Sequence, residues 1–351
     1  MNVVFLCSHG FDYVQDLSFS GLNKNLSNLK VTDYPWNKKY HLPLWRYPKN
    51  MGYSHSLVFK LPGSKSLLKT ADIVIVGAVK ADAFRVLLSC ITEIPKTTPL
   101  VLLDGGDVEL IGGDLHREGQ FSLFEQCQAI RPFDLIFKRE MLEDKLYPRN
   151  VNPYPLSFNP HYWSGPTPRK RYQVAFWGVE SHPIRSKALA LLDGQFDCRE
   201  NGTRPDQSFS RYKRRGGSYF KALAQCEVVL SFWGAGYEAL RFWETLGVGS
   251  FLLSQRPKIR IDKPFIDNQH VVYLDDNIDD LLDKCRYYLK HKAKREAIAR
   301  AGQAHLLQHH TVSKRIEFLL TKISEFKDRQ ARVHVVGSVP VRAPDSAKKR
   351  L

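Results

Sequence analysis

Short apolar runs separated by helix-length segments dominate the first half of this 351-residue chain. The runs are VVFLC at 3–7, DIVIVGAV at 72–79, PLVLLDG at 99–105 and FDLIFKR at 133–139. Strands that are buried on both faces read as nearly continuous apolar runs, because a parallel sheet carries helices on both sides. The pattern therefore predicts a doubly wound α/β domain over residues 1–155.

A proline-rich segment ends this first series. The stretch NPYPLSFNPHYWSGPTPRKR at 152–171 contains five prolines, which exclude a regular helix or central strand and predict a linker at 156–171. A second α/β series follows at 172–326. Its strands are predicted at 172–178, 196–200, 226–232, 250–254 and 270–274, and its helices at 183–192, 218–225, 237–246, 277–291, 294–309 and 312–326. Two such domains in tandem predict a cleft beside the carboxyl ends of the strands, where open α/β sheets bind ligands.

The chain is strongly basic, with 52 Lys and Arg against 36 Asp and Glu and a net charge of +16. Such a balance implies an anionic partner, which can be nucleic acid, an anionic membrane surface or a phosphorylated small molecule. Charge alone does not choose among the three. Residues 327–351 are basic and lack sustained periodicity, so we expect a loosely docked tail there.

Cysteine use and hydropathy indicate the compartment. The six cysteines are scattered without a CxxC pair, which favours reduced thiols in a cytosolic protein. No stretch has the length and apolarity to span a bilayer. We therefore expect a cytoplasmic protein, with peripheral contact at the inner membrane face left open.

The segment GAGYEALRFWETLGVGSFLLSQ at 234–255 holds the clearest candidate site. Gly234 and Gly236 follow a predicted buried strand and allow the backbone to approach a ligand closely. A helix is expected to begin near Tyr237. Its first N–H groups and its dipole favour an anion such as a phosphate.

Two charged side chains lie within this predicted helix. The Glu244 carboxylate can accept hydrogen bonds from two vicinal ribose hydroxyls, and Arg241, one turn earlier, can meet phosphate charge. The competing interpretation is a solvated i, i+3 ion pair of little energetic value. A phosphate site, a ribose site and a helix N-terminus together describe a nucleotide diphosphate.

The order of motifs after residue 172 resembles the carboxyl-terminal domain of group 1 glycosyltransferases of the GT-B fold, in the spore-maturation-protein-like branch. The resemblance covers about residues 172–322. The matching elements are Phe176-Trp-Gly178, Arg185, RFWETLGVGSFLL, Tyr287-Tyr288-Leu289, Arg295, Ile298-Ala299, Gly302 and His310-Thr311. Many relatives carry a second glutamate eight positions before the one matched by Glu244. Here that position is Gly236, and the nearest acid, Glu238, is displaced by two.

The resemblance implies two Rossmann-like domains facing a cleft. It also implies transfer of a sugar from a nucleotide diphosphate sugar to a hydroxyl acceptor, with no metal or other cofactor. The residues that it places at the nucleotide sugar are Gly178, Arg185, Gly234, Gly236, Tyr237, Arg241 and Glu244. Arg241 would also act in catalysis, because the leaving diphosphate needs stabilisation.

The first domain supplies weaker candidates. His9, in Ser8-His-Gly10 after the first strand, can act as general base for an acceptor hydroxyl, or it can make only local hydrogen bonds. Asp104 and Asp107 end another strand and are expected at the cleft edge. They can contact the acceptor in catalysis, or they can simply form an Asx-type turn with solvated carboxylates.

A second function class remains open at this stage. The basic run at 211–215, the segment 290–300 and the tail could track phosphates, as expected of a nucleic-acid-binding protein or a DNA-modifying glycosyltransferase of phage type. The same charge suits an acidic glycan or a lipid-linked acceptor at an anionic membrane.

Overall fold

The structure, a computed structural model, describes residues 1–24, 28–41, 65–166, 168–205 and 216–337. These residues form two parallel sheets with helices packed on them. The first sheet has the order β2-β1-β3-β4-β5-β6. Its strands are β1 (Asn2–Leu6), β2 (Lys30–Tyr34), β3 (Ile73–Val76), β4 (Leu100–Asp104), β5 (Leu135–Lys138) and β6 (Val151–Pro153). The helices of this first lobe are α1 (Tyr13–Lys24), α2 (Lys38–His41), α3 (Ala81–Leu88), α4 (Gly113–Arg117) and α5 (Phe121–Ile130), with 3₁₀ turns at Lys65–Thr70 and Ile91–Glu93.

The second sheet has the order β10-β9-β8-β7. Its strands are β7 (Tyr172–Ala175), β8 (Cys226–Ser231), β9 (Phe251–Gln255) and β10 (Val272–Leu274). The helices that follow the linker and its 3₁₀ turn at Pro160–Tyr162 are α6 (Pro183–Leu192), α7 (Cys198–Asn201), α8 (Gly217–Ala224), α9 (Leu240–Gly247), α10 (Leu281–Lys290), α11 (Lys292–His309) and α12 (Val312–Gly337). We call this sheet and helices α6 to α11 the second lobe.

Helix α12 returns from the second lobe to the first. It packs on α1 so closely that a Cβ added to Gly21 would lie 2.6 Å from Cγ1 of Ile316. One buried apolar cluster accordingly continues from the first sheet, through Phe158 of the linker, to Trp243 of the second lobe. The burial of this shared surface stabilises the two lobes together, since buried apolar area contributes about 25 cal/mol per Å².

The four apolar runs of the first domain are confirmed as β1, β3, β4 and β5, all parallel. The sequence analysis missed β2 and β6, which are the two edge strands. In β2, KVTDY, charged and hydroxyl residues interrupt the apolar run, and β6 has only three residues. Edge strands carry weaker apolar signals because one side of the strand lacks a neighbour.

The predicted strand at 196–200 is wrong, because residues 196 and 197 form a turn and residues 198–200 lie in helix α7. Side chains of this segment and of the residues that follow it still form hydrogen bonds with the backbone along the edge strand β7. The Asp197 carboxylate accepts the Val174 N–H at 3.1 Å, and the Asn201 side-chain amide donates to the Val174 carbonyl at 2.7 Å. The hydroxyl of Thr203 accepts the Phe176 N–H at 3.0 Å. Side-chain groups thus take the place of the backbone hydrogen bonds that a fifth strand would make beside β7.

Some helix boundaries also differ from the sequence prediction. Helix α9 begins at Leu240 rather than near Tyr237, and α12 continues to Gly337 rather than ending at residue 326, so residues 327–337 are helical and not a tail. Residues 338–351 and the basic run at 211–215 lie outside the described residues. All six cysteines are free thiols, and the structure places all six in buried positions. Among the helices of the described ranges, none has the length and apolarity to cross a membrane.

Candidate active site

The carboxyl ends of the two sheets meet at the loop that follows β5 and the loop that follows β8. The N–H of Tyr237 donates to Oε2 of Glu140 at 3.0 Å. Nearby, Nε of Arg139 lies 3.6 Å from Oε1 of Glu238. Because parallel sheets place their ligand-binding loops at this edge, the contact locates the candidate site between the lobes.

Glu244 lies on α9, one turn after its start, and is only 4% exposed. Its Oε2 accepts a hydrogen bond from the Tyr219 hydroxyl of α8 at 2.8 Å. Glu244 is therefore not part of a solvated surface ion pair, which was the alternative interpretation offered by the sequence analysis. A buried, oriented carboxylate is a group that can accept ligand hydroxyls with little further loss of side-chain entropy.

Arg241 lies in the first turn of α9. Its guanidinium carbon lies 4.8 Å from the centroid of the Phe176 ring, and Nη2 donates to the Trp177 carbonyl. A Cβ at Gly178 would lie 2.9 Å from Nη1 of Arg241, so the glycine lets the guanidinium rest against the backbone after β7. The structure thus brings together Gly178 and Arg241, two residues that the sequence analysis assigned to one site.

Arg185 of α6 is buried and has a different set of contacts. Its guanidinium donates to the carbonyls of Trp233, Phe232 and Val179, at 2.7, 3.1 and 2.9 Å. A Cβ at Gly234 would lie 2.7 Å from Nη2 of Arg185. These contacts make Arg185 a support for the chain after β8, and they give no support to the predicted role in binding a diphosphate.

The β8–α9 loop (232–239) was expected to offer open amides to a pyrophosphate. The structure corrects this expectation. The Gly234 N–H donates to the Gly236 carbonyl at 2.9 Å, and Glu140 accepts the N–H groups of Tyr237 and Glu238 at 3.0 and 3.4 Å. Since α9 begins at Leu240, the dipole that favours an anion is centred three residues later than predicted.

Glu238 is a structural acid within this region. Its carboxylate accepts the Leu156 N–H at 3.0 Å and the Trp243 indole N–H at 2.8 Å, so it connects the linker to α9. Burial raises the pKa of Glu238 to about 7, while Arg139 acts in the opposite direction and Glu140 raises it further. Burial also raises the pKa of Glu140.

The first lobe contributes Tyr13, the first residue of α1. Burial raises its pKa to about 12, the charge of Glu244 raises it further, and the charges of Arg241 and Arg139 lower it. Charged groups of both lobes therefore act on the Tyr13 hydroxyl. The sequence analysis missed Tyr13, Tyr219, Arg139 and Glu140. The only available signal was that Arg139 and Glu140 directly follow a strand, a position typical of site residues.

His9 is exposed in the loop after β1, where it remains available as a base. Its backbone N–H donates to Oδ2 of Asp82 at 2.8 Å, and the Ser8 hydroxyl accepts the Gly10 N–H at 2.9 Å. The loop is thus held by its own hydrogen bonds. This arrangement agrees with either of the two interpretations offered for His9 from sequence.

The expectation that Asp104 faces the cleft is wrong. Asp104 is fully buried, lies 3.2 Å from the Lys138 ammonium, and accepts the N–H groups of Gly106 and Gly112 at 3.2 and 3.0 Å. It stabilises the β4–α4 loop (105–112) and cannot contact an acceptor. Asp107 is partly exposed and is paired with Arg139.

The chain is similar to one protein family in sequence and to several solved structures in fold. Residues 171–321 match the model of the family described as glycosyl transferase-like. No curated protein matches the chain in sequence. Among similar solved structures is an alpha-glucosyltransferase in complex with UDP and a 13-mer DNA containing an A:G mismatch. It is 10% identical, with 92% of this chain and 99% of that chain covered and a TM-score of 0.57.

Two further structures have the same architecture. HepE of Anabaena, in complex with UDP and glucose, is 11% identical, with 92% and 99% of the two chains covered and a TM-score of 0.56. Sucrose-phosphate synthase of Thermosynechococcus elongatus is 9% identical, with 96% and 100% covered and a TM-score of 0.56. At these identities the likeness concerns the fold. The chain thus has the GT-B fold of two facing Rossmann-like lobes, and its residues 171–321 are similar to the glycosyl transferase-like family.

Proposed function

We propose that this protein transfers a sugar from a nucleotide diphosphate sugar to a hydroxyl acceptor and that it does so without a metal ion. The observation that carries the proposal is the buried Glu244 carboxylate, oriented by Tyr219 within the family-matched region, next to the start of α9. Relatives of the same fold were solved with UDP. A uridine diphosphate sugar is therefore the first donor to test.

Each side chain has a defined role in this proposal. Glu244 accepts hydrogen bonds from the ribose hydroxyls, while Arg241 and the first N–H groups of α9 stabilise the charge that develops on the leaving diphosphate. Displacement at the anomeric carbon passes through an oxocarbenium-like transition state. His9, exposed in the first lobe, accepts the proton of the acceptor hydroxyl.

The basic charge of the chain favours an anionic acceptor. An acidic glycan and a lipid-linked sugar both fit, and the compartment that we propose is the cytoplasm. One relative of the same fold was solved with DNA, but at 10% identity that complex is a property of the relative. Duplex DNA is accordingly one arm of the acceptor test, in which affinity that falls steeply with salt would indicate phosphate contacts.

The experiment is a thermal-shift and donor-hydrolysis screen over nucleoside diphosphates and nucleotide sugars. A ligand that binds only the folded state raises the melting temperature in proportion to ln(1 + [L]/Kd). We expect UDP to stabilise the wild type. Glu244→Gln should weaken UDP binding about 10- to 100-fold, because the ribose hydroxyls then lose their charged hydrogen-bond acceptor. The matched control is Glu296→Gln on the exposed side of α11.

The proposal fails if no nucleoside diphosphate shifts the wild-type melting temperature, or if Glu244→Gln binds UDP as tightly as Glu296→Gln. The His9 role has a separate test. His9→Ala should leave UDP affinity unchanged and lower the transfer rate on the order of a hundredfold. An equal transfer rate in His9→Ala would assign the base to another group.

A further inference from the structure

The carboxylate of Glu140, from the first lobe, lies in the space that a side chain at position 236 would need in the second lobe. A Cβ built on Gly236 would be 2.6 Å from the Glu140 carboxyl carbon and closer still to Oε1. Only glycine at 236 therefore allows this approach, since real Cβ contacts are not so short. The close approach explains Gly236 by a protein group and not by a ligand.

Glu140 is fully buried, and both of its oxygens are engaged. Oε2 accepts the Tyr237 N–H at 3.0 Å, and Oε1 lies 3.4 Å from the Glu238 nitrogen and 3.0 Å from Nη2 of Arg139. Arg139 balances the negative charge and is itself paired with Asp107. The carboxylate thus acts as a cap for two backbone amides that lie 97 and 98 positions away in the chain.

Such caps are usually local. An Asp, Asn or Ser side chain commonly accepts the N–H two residues on and so orders a turn or helix start. Glycine at 236 cannot make that bond, and the cap comes from the other lobe. The β8–α9 loop leads directly into α9, which carries Arg241 and Glu244, so the position of this loop affects where those two side chains are held.

We propose that Glu140 is a positioning residue of the donor site, which holds the β8–α9 loop in place from the opposite lobe and so couples lobe contact to the geometry of Arg241 and Glu244. The consequence for donor binding rests on the proposed function, whereas the ordering of the loop does not. The part of the proposal that can be tested most directly is the dependence of the loop on the Glu140 carboxylate and on glycine at position 236.

The first experiment is amide hydrogen exchange on the full chain. Glu140→Ala should accelerate exchange of peptides covering 232–241 on the order of tenfold, because two amides lose their acceptor. The matched control is Glu143→Ala, three residues on, which removes an ion pair from Glu143 to Arg256 of the second lobe but does not touch the loop. Equal exchange in Glu140→Ala and Glu143→Ala would overturn the proposal.

The second experiment moves the carboxylate to the other lobe. In Glu140→Ala with Gly236→Asp, the new carboxylate can accept its own i+2 amide, so exchange of 232–241 should return toward the wild-type rate. Gly236→Asp alone should exchange faster than the wild type, because two carboxylates then compete for one space. If Glu140→Ala does not fold, Glu140→Gln, which keeps one acceptor oxygen, should show intermediate exchange. An effect of Gly236→Asp that is the same in both backgrounds would contradict the proposal.

Donor kinetics separate this inference from the proposed function. Glu140→Ala should raise the donor KM about tenfold and leave the acceptor KM unchanged, whereas a general loss of folded protein would lower kcat alone. Failure of the wild type to bind any nucleoside diphosphate would remove the proposed function but not the exchange result. If the wild type binds UDP and the donor KM of Glu140→Ala is unchanged, the positioning role is wrong.

Discussion

Two glycine-containing loops at the carboxyl ends of strands are ordered in different ways. In the β4–α4 loop, Asp104 of the same lobe accepts the amides of Gly106 and Gly112. In the β8–α9 loop, the acceptor of the amides is Glu140 of the opposite lobe. Both carboxylates are buried, and each lies within 3.2 Å of a cation from the end of β5 or the residue after it.

The difference indicates which loop can respond to movement of the lobes. A loop capped within its own lobe keeps its order as long as that lobe is folded. A loop capped from the other lobe loses its acceptor when the lobes separate, which lowers its local stability without unfolding either sheet. The second arrangement suits a site that must admit and release a ligand between two lobes.

The largest expected effect is that of Asp104→Ala. This change leaves the fully buried Lys138 ammonium without its counter-charge and also removes the acceptor of two loop amides. Removing one partner of a buried pair costs about 3–5 kcal/mol. Urea unfolding should show this loss, and the double variant Asp104→Asn with Lys138→Met should recover much of it. A loss under about 1 kcal/mol would show that the pair contributes little.

The pH dependence of unfolding is the next largest effect. The pKa of Glu238 is about 7 in the folded protein, above the ordinary value of 4.5, because of burial. Between these pH values the folded state holds a proton that the unfolded state has released, so this contribution to stability is present at low pH and is lost as pH rises through 7. Glu238→Gln should therefore reduce the decline in unfolding free energy between pH 5 and 8 by about 2–3 kcal/mol. Parallel profiles for Glu238→Gln and Glu296→Gln would contradict the assignment.

A smaller effect compares the two loops directly. A Cβ at Gly236 would lie 2.6 Å from the Glu140 carboxyl carbon, while one at Gly106 would be 3.2 Å from Oδ1 of Asp104. Gly236→Ala should therefore cost about 1–3 kcal/mol and Gly106→Ala less, because overpacking grows steeply as contacts shorten. In a Glu140→Ala background the cost of Gly236→Ala should disappear. If Gly236→Ala still destabilises the protein in that background, the cost arises from the backbone and not from contact with Glu140. Thermal unfolding of Gly236→Ala, Gly106→Ala, Glu140→Ala and the double variant measures these differences.

The smallest effect concerns an exposed ion pair. Lys314 and Glu317 on α12 lie 2.7 Å apart and are both about half exposed. Water and salt screen such pairs, so Lys314→Ala should change the unfolding free energy by less than about 0.5 kcal/mol. This variant sets the lower end of the scale against which the buried pairs at the two loops are compared. A larger loss would mean that Lys314 has a packing role on α12.

Sequence alone predicted the two α/β series, the proline-rich connection and the GT-B architecture, and it assigned Arg241 and Glu244 to one candidate site. Those features are recorded locally, as apolar runs of strand length, proline spacing and an ordered set of short motifs. The sequence analysis was wrong about segment 196–200 and about the start of α9. In both places side chains form the hydrogen bonds of the backbone, and local propensity does not indicate such contacts.

Only the tertiary structure decided which polar groups meet. Asp104 is an internal partner of Lys138 and not a cleft residue, Arg185 supports the carbonyls of Phe232 and Trp233, and Glu140 occupies the space beside Gly236. Each of these contacts joins residues 34 or more positions apart. Their partners are set by how sheets and lobes pack, because a buried polar group must find its hydrogen bonds wherever the fold brings an acceptor or donor within reach.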